Sequence, residues 1–235
     1  MQLIKNNWDK QDILDLEDYL FSLGNLERAK QENKIINTKQ FVLSIHIPEL
    51  RVMANEIFKG NYISFLDLNP SKYYEEYLLQ AFIISKIKDM KLQQKYLDKY
   101  LPQVDSWAHT DSLKYSINKK NEIAWWDYAL SLLKSKHIMC RRCAIMIMFK
   151  YFIETDYLQD IFAEINKLED EKEYYVNMAI AWLVCECFIK RRSETLLFLK
   201  NNKLNAFTQN KAISKCRDSY RVSKEDKELL LTLKK

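Results

Sequence analysis

The sequence predicts an all-α protein that forms a single α-solenoid domain over residues 1–235, and two observations lead to this fold class. The 235 residues include only 2 glycines and 3 prolines, whereas strand-rich and parallel α/β folds need glycine at their turns and βα loops. Helical periodicity of the apolar residues also continues along the whole chain, without a recognisable linker. The scarcity of glycine further excludes the phosphate-binding loops of nucleotide-dependent enzymes.

Two segments in the first half of the chain are predicted helices. The stretch SKYYEEYLLQAFIISKIK spans Ser71–Lys88, and Ser71 is its predicted N-cap because serine is favoured there. Further on, Pro102 suits the first turn of a helix that would carry DSWAHTDS. On such a helix Trp107 and Asp111 share one face, one turn apart.

Two helices in the second half are apolar around much of their circumference, which is typical of helices buried on two sides. They are HIMCRRCAIMIMFKYFI (His137–Ile153) and EYYVNMAIAWLVCECFIK (Glu173–Lys190). Between them, ETDYLQDIFAEINKLEDEKE is amphipathic and acidic, as expected of an outer helix. Buried and solvated helices therefore alternate, and a pair recurs about every 40 residues, the period of HEAT-like arrays that stack into a superhelix with a concave face.

Basic residues are segregated along the chain. Residues 134–150 hold five Lys and Arg and no acid, and residues 184–221 hold nine bases against three acids. These stretches contain the buried-type helices, so a HEAT-like superhelix would have a concave basic groove. Such a groove suits a polyanion and is typical of nucleic-acid binding. Its candidate contacts are Arg141, Arg142, Lys190 and Lys211. The competing interpretation is a solvated lysine surface.

The chain has no apolar run of the roughly 18 residues that a membrane span needs, and acids occupy the N-terminal positions where a signal peptide is apolar. We therefore expect a cytoplasmic protein with reduced thiols. Close cysteine pairs at Cys140/Cys143 and Cys185/Cys187 leave a zinc site as an alternative. Because both pairs lie within strongly helical patterns, we interpret them as small core residues. No metal and no cofactor are expected.

Four polar and aromatic residues form a candidate site. Trp107 and Asp111 share a helical face, Arg142 lies on a later helix, and Trp182 on the helix after the acidic one. Each tryptophan alone is more typical of a protein core. Together the four suit a cationic, sugar-like ligand, because aromatic faces attract cations and a carboxylate stabilises positive charge. His109 lies two positions from Asp111 and faces away from it, so it is not a candidate base.

The residues from Tyr73 to the C-terminus resemble the AlkD-like DNA glycosylase family, the HEAT-like repeat DNA alkylation repair proteins. The resemblance is carried by YYEEYLLQAFIISKIK, VDSWAHTDS, RRCAIMIMFKYFI, YYVNMAIAWLVCECFIK and FLKNNKLNAFTQNKAISKCRDSYRVSKEDKELL. In that family a Trp and an Asp one turn apart, an Arg and a later Trp form the active cleft. The resemblance assigns these positions to Trp107, Asp111, Arg142 and Trp182.

The resemblance implies hydrolysis of the N-glycosidic bond of cationic N3- or N7-alkylated purines, with the lesion left in the helix. Asp111 would stabilise the oxocarbenium charge on the deoxyribose and orient water. Trp107 and Trp182 would present ring faces to the sugar and the cation. Arg142 would bind a phosphate beside the lesion, which positions the DNA without reading its sequence.

The N-terminal third departs from the family pattern. In RAKQENKIINTKQFVLSIHIPELR the clamp-like segment of relatives is not recognisable, and Ser44 and His46 stand at the family's glycine and basic positions. We therefore predict a monomer that binds alkylated or abasic duplex DNA, with base excision weak or absent. The alternative is a non-enzymatic α-solenoid that binds other proteins.

Overall fold

The computed structural model describes residues 1–235 and is entirely helical, which confirms the all-α class. Its 14 α-helices are α1 (Lys10–Leu23), α2 (Leu26–Ile36), α3 (Ile47–Lys59), α4 (Tyr62–Leu68), α5 (Tyr74–Ile84), α6 (Met90–Tyr100), α7 (Trp107–Asp111), α8 (Glu122–Leu133), α9 (Ile138–Ile147), α10 (Leu158–Asn166), α11 (Tyr174–Lys190), α12 (Arg192–Asn201), α13 (Ala206–Asp218) and α14 (Lys224–Leu231). The chain forms two compact units, Met1–Asn118 and Lys119–Lys235. The single superhelical domain with a concave groove stays a prediction.

In the first unit, α5 is the central helix. All of its residues are buried, and it packs against α3, α6 and α7. Its polar side chains are therefore bonded internally. The Glu75 carboxylate accepts hydrogen bonds from the backbone N–H groups of Leu43 and Ser44, and Gln80 donates to the Pro70 carbonyl. Through these bonds α5 holds the loops on either side of it.

The predicted N-cap of α5 at Ser71 is wrong, because the helix begins at Tyr74. Tyr73 stays extended, in an isolated β-bridge with Phe41, so the chain cannot enter the helix earlier. The Glu76 carboxylate then reaches back to accept from the backbone N–H of Tyr73 at 2.7 Å. A carboxylate three residues into the helix thus satisfies the donors that Ser71 was expected to satisfy.

In the second unit, α11 is the central helix and matches the prediction closely. It packs against α9, α12 and α13. The predicted helix over His137–Ile153 is α9 followed by one π-helical turn over Met148–Phe152. The acidic outer helix is confirmed in α10, although it is shorter than the stretch 154–173 that was predicted to form it.

The cysteines are core residues, as predicted. All five are buried, and none forms a disulfide. The structure contains no cluster of three or more His, Cys, Asp or Glu side chains arranged to hold a metal ion. None of the helices has both the length and the apolar character needed to cross a membrane.

Candidate nucleic-acid interface

Helix α7 in the first unit carries Trp107 and Asp111 at its two ends. The prediction that they share a helix is confirmed, but Pro102 does not begin that helix. It lies in a separate 3₁₀ turn, Leu101–Gln103, and Ser106 is the N-cap of α7. Trp107 and Asp111 are both partly exposed, one helical turn apart.

Trp107 is held in place by its indole N–H. This group donates to the backbone carbonyl of Ile35, at the end of α2, over 3.3 Å. The ring also forms part of the wall of a cavity of about 320 Å³. The other apolar residues of that wall include Ile35, Ile36, Ile45, Tyr74 and Leu78.

Asp111 ends the helix and is partly exposed. The hydroxyl of the buried Thr110 donates to the Trp107 carbonyl at 2.9 Å, and its oxygen lies 3.2 Å from the Asp111 carboxylate. Because the hydroxyl has one proton, the shorter bond to Trp107 is the main one. The Asp111 carboxylate thus lies beside a side chain that is fixed to the first residue of the helix.

His109 faces the core, which confirms that it points away from Asp111. It is fully buried among the rings of Tyr74, Tyr77 and Tyr100. Its Nε2–H donates to the Tyr74 carbonyl over 3.4 Å, and its Nδ1 has no hydrogen-bond partner. Burial lowers the pKa of His109 to about 4, so the imidazole is neutral at neutral pH.

In the second unit, Arg142 and Arg141 are both tied into their own fold. Arg142 is only 4% exposed, and its guanidinium donates to the Tyr175 carbonyl at 2.7 Å. Arg141 forms a two-pronged ion pair with Glu171, at 2.8 and 3.1 Å. Burial, the largest single effect, raises the pKa of Glu171, but Arg141 and the backbone N–H groups of Glu173 and Lys172 together hold it below its usual value. The charge of Arg141 is thus locally compensated.

Trp182 lies on α11 with 39% of its surface exposed. Its ring contacts Phe149, with centroids 5.3 Å apart, and the ammonium of Lys215 lies 5.4 Å above it. One turn earlier on α13, the exposed Lys211 lies 5.8 Å from the ring of Phe207. Two lysines of α13 thus lie over aromatic rings, Lys211 over a ring of α13 itself and Lys215 over a ring of α11.

Lys215 was not among the predicted site residues. The spacing of Lys211 and Lys215 by four along one helix was the signal in the sequence that placed both on one face. The fourth predicted cation, Lys190, forms an ion pair of 2.5 Å with Glu154, whose carboxylate side chain is 64% exposed. An ion pair this open to water contributes little, about 0–1 kcal/mol.

The two unusual positions of the N-terminal third belong to one network. Ser44 has a φ of 63°, the left-handed region that favours glycine. The Arg28 guanidinium donates to the Ser44 hydroxyl and backbone carbonyl and to His46 Nε2. It also pairs with Glu32 at 3.2 Å. These bonds attach the Ser44 turn to α2, and residue types alone did not indicate them.

Comparison with known proteins adds one match. A family model described as DNA alkylation repair enzyme matches residues 16–216, well over half of the chain. No curated protein matches it. The matched range includes α7, α9 and α11 and all but the last two residues of α13.

Proposed function

The chain belongs to the DNA alkylation repair enzyme family, and from this premise we propose that it binds alkylated or abasic duplex DNA through Trp107, Asp111, Arg142 and Trp182. The observation that carries the proposal is the geometry of α7. A ring fixed by a hydrogen bond and a partly exposed aspartate lie one turn apart. That is the pairing a positively charged deoxyribose requires.

The proposed chemistry is hydrolysis of the N-glycosidic bond. A purine alkylated at N3 or N7 is cationic and leaves readily, and positive charge then develops on the sugar. Asp111 stabilises that charge and orients the attacking water. Two unit charges about 4 Å apart at an effective dielectric near 20 interact by ~4 kcal/mol, which converts to about a thousandfold in rate.

The ring faces of Trp107 and Trp182 are proposed to contact the deoxyribose and the cationic base. Each ring face is worth roughly 0.5–2 kcal/mol toward a nearby cation. Lys215 already occupies this kind of position above Trp182, so that ring is accessible to a cation. A bound lesion would take the place of this ammonium.

The DNA backbone is proposed to contact Arg142, Lys211 and Lys190. Arg142 carries five N–H donors in a planar fork that suits a phosphate. Lys190 gives up only an exposed pair with Glu154 on binding. Arg141 would have to leave a well-shielded pair with Glu171, and the buried Arg142 would have to leave the Tyr175 carbonyl. The two arginines are therefore weaker proposed contacts than Lys190 and Lys211.

Base excision is proposed to be weak or absent. The rate depends on holding the damaged sugar against Asp111 within a fraction of an ångström, and a small misplacement costs about a hundredfold. The predicted departure from the family pattern lies around Ser44 and His46. There the Arg28 guanidinium is engaged with its own neighbours instead of being aimed at a partner molecule.

A base-release assay tests the function. Duplex DNA carrying 7-methylguanine is incubated with the wild type, with Asp111→Asn and with Asp18→Asn, a matched control on the exposed surface of α1. We expect slow release by the wild type and the control, and nearly none by Asp111→Asn. Binding to abasic duplex should stay within about twofold in all three, because the phosphate contacts are unchanged.

Three results would contradict parts of the proposal. Rapid release by the wild type would overturn the weak-excision part. Release that survives Asp111→Asn would remove Asp111 from the chemistry. Equal affinity for damaged and intact duplex would overturn recognition of the lesion.

A further inference from the structure

Two thiols of the second unit meet across neighbouring helices. Cys185 lies on α11 and Cys216 on α13, and the Cys216 thiol donates a hydrogen bond to the Cys185 sulfur. The sequence draws attention to Cys185 and Cys187, which are close along the chain, whereas the structure pairs Cys185 with a distant cysteine. The two sulfurs are therefore already in contact without being covalently joined.

The register of α11 and α13 explains why these two cysteines meet. The Thr208 hydroxyl of α13 donates to the Asn177 side chain of α11 at 2.6 Å, over an offset of 31 positions. Cys216 follows Cys185 by the same offset, about two turns further along both helices. Two helices that run side by side in a fixed register thus bring the two thiols to the same level.

The surroundings of Cys185 favour its thiolate. Its neighbour Glu186 is compensated by the Arg221 guanidinium, which donates to both carboxylate oxygens at 3.0 and 2.7 Å. The hydrogen bond from Cys216 lowers the pKa of Cys185 against the opposing effect of burial, and the positive charges of Lys215 and Arg221 lower it further. Cys185 is therefore the more acidic member of the pair.

The two thiols also differ in exposure, which gives them different roles. Cys185 is 4% exposed, whereas Cys216 and Cys187 are fully buried. The hydrogen bond that Cys216 donates raises its own pKa, and burial raises the pKa of Cys187. The thiolate is the nucleophilic form of cysteine. Cys185 is thus suited to react first with a small oxidant, and Cys216 to react second from the interior.

We propose that Cys185 and Cys216 are a redox modification site, which hydrogen peroxide converts into an intramolecular disulfide joining α11 to α13. The Cys185 thiolate attacks one peroxide oxygen, the O–O bond breaks, and the hydroxide that leaves takes up the proton released by that thiol. The product is a sulfenic acid. The Cys216 sulfur then attacks the Cys185 sulfur, and the hydroxyl group leaves as water with the Cys216 proton. Two thiols are oxidised, and one peroxide is reduced to two waters.

The inference goes beyond the proposed function and does not depend on it. Neither cysteine is among the proposed DNA contacts, and the reaction is measured on the thiols themselves. The pair lies close to the candidate site, because Trp182 precedes Cys185 by one turn on α11 and Lys215, the residue before Cys216, lies over its ring. A small dithiol would reverse the modification by thiol–disulfide exchange.

Peptide mass spectrometry of the oxidised wild type tests the disulfide. The full-length chain is reduced, freed of reductant and treated with hydrogen peroxide, and the remaining thiols are then blocked with iodoacetamide in denaturant. We expect Cys185 to be linked to Cys216 and the other three of the five cysteines to be alkylated. Dithiothreitol should restore all five thiols, and a non-reducing gel should show no intermolecular disulfide.

Three variants separate the attacking thiol from the resolving thiol. Cys216→Ala should stop at the sulfenic acid of Cys185, which dimedone traps. Cys185→Ala should form neither the sulfenic acid nor the disulfide and should lose thiols about tenfold more slowly than the wild type. Cys187→Ala is the matched buried control on α11 and should oxidise as the wild type does. Circular dichroism checks folding, and the linkage in the wild type is measured without any variant.

Three results would overturn the inference. They are a link between Cys185 and Cys187, a sulfenic acid that forms first at another cysteine, and a folded wild type that keeps five reduced thiols while free cysteine in the same solution is oxidised. None of these readouts involves DNA. Failure of the base-release assay would therefore leave the disulfide standing, and absence of the disulfide would leave the proposed function standing.

Discussion

Two residues of α7 that are two positions apart meet opposite environments. Asp111 is partly exposed, whereas His109 is fully buried. Helical geometry alone predicts that they diverge, and the sequence therefore sufficed to set His109 aside. The sequence did not indicate how burial changes the pKa of His109.

His109 makes stability depend on pH. In the unfolded chain its pKa is near 6.5, and burial lowers it to about 4 in the folded chain. As pH falls from 6.5 toward 4, the unfolded state takes up a proton that the folded state does not, so stability is lost, on the order of 3 kcal/mol in total. Urea unfolding of the wild type and of His109→Gln should diverge across this range.

The pH dependence of the wild type alone does not isolate His109, so the difference in unfolding free energy between His109→Gln and the wild type is the quantity to measure. Burial raises the pKa of Glu76 to about 7, and this group acts in the opposite direction. The folded state binds its proton first, so Glu76 adds stability as pH falls from 7 toward 4.5. Identical pH dependence in the wild type and His109→Gln would mean that His109 takes up its proton at the same pH in the folded and unfolded chains.

The candidate site was predictable only in part at the residue scale. The spacing of Trp107 and Asp111 is a local property, and the structure confirms their shared helix. The pairing of Arg141 with Glu171 joins residues 30 positions apart, and nothing local indicates it. Lys215 above Trp182 is equally non-local. Charge neutralisation and ring contacts of this kind depend on which elements pack together.

At the scale of elements, periodicity located the helices and missed some of their ends. Helix α11 begins one residue from its predicted start. Helix α5 begins three residues late because Tyr73 pairs with Phe41, from a distant loop. A tertiary contact that keeps the chain extended can delay the start of a helix, even where the residue type favours an earlier N-cap. Boundaries are therefore the part of the fold least determined by local sequence.

The end of α3 supports the N-terminal segment through a close approach at Gly60. A Cβ at this position would lie 2.4 Å from the Lys5 carbonyl oxygen and 2.7 Å from its nitrogen. The Asn61 backbone N–H also donates to the same carbonyl at 2.7 Å. With a Cβ at position 60 the backbone of Lys5 would have to shift, and this would disturb the packing of the nearby, buried Trp8.

Gly60→Ala should therefore lower the free energy of unfolding by roughly 1–3 kcal/mol, the usual cost of overpacking. Gly24→Ala is the matched control, since its nearest atoms lie at 3.2 Å and need only a small adjustment. Thermal unfolding followed by circular dichroism measures both. A loss at Gly24 as large as that at Gly60 would show that the close approach to Lys5 is not the cause.

At the scale of the whole chain, the net charge of +5 is modest, and the distribution of charge is more informative. Arg141 is occupied by its ion pair with Glu171, while Lys211 and Lys215 lie above aromatic rings. The composition predicted a basic, helical protein. Which cations are paired with a carboxylate followed only from the structure.

Affinity for duplex DNA should fall steeply with salt, because bound lysines displace counterions from the phosphates. Lys211→Ala should weaken binding to all sequences alike and flatten the slope of log K against log salt by about one. Lys59→Ala, an exposed lysine paired with Glu56, should leave the slope unchanged. Binding to DNA that hardly responds to salt would favour the alternative of a protein-interaction module.

Because Trp107 donates a hydrogen bond to the Ile35 carbonyl, one substitution of Trp107 affects both its ring face and the end of α2. Replacing Trp107 with alanine deletes a ring face and also unties the end of α2, so a loss of activity would have two causes. Replacing it with phenylalanine keeps a ring and deletes only the donor. The difference between the two variants is the contribution of the aromatic surface itself, and neither variant alone measures it.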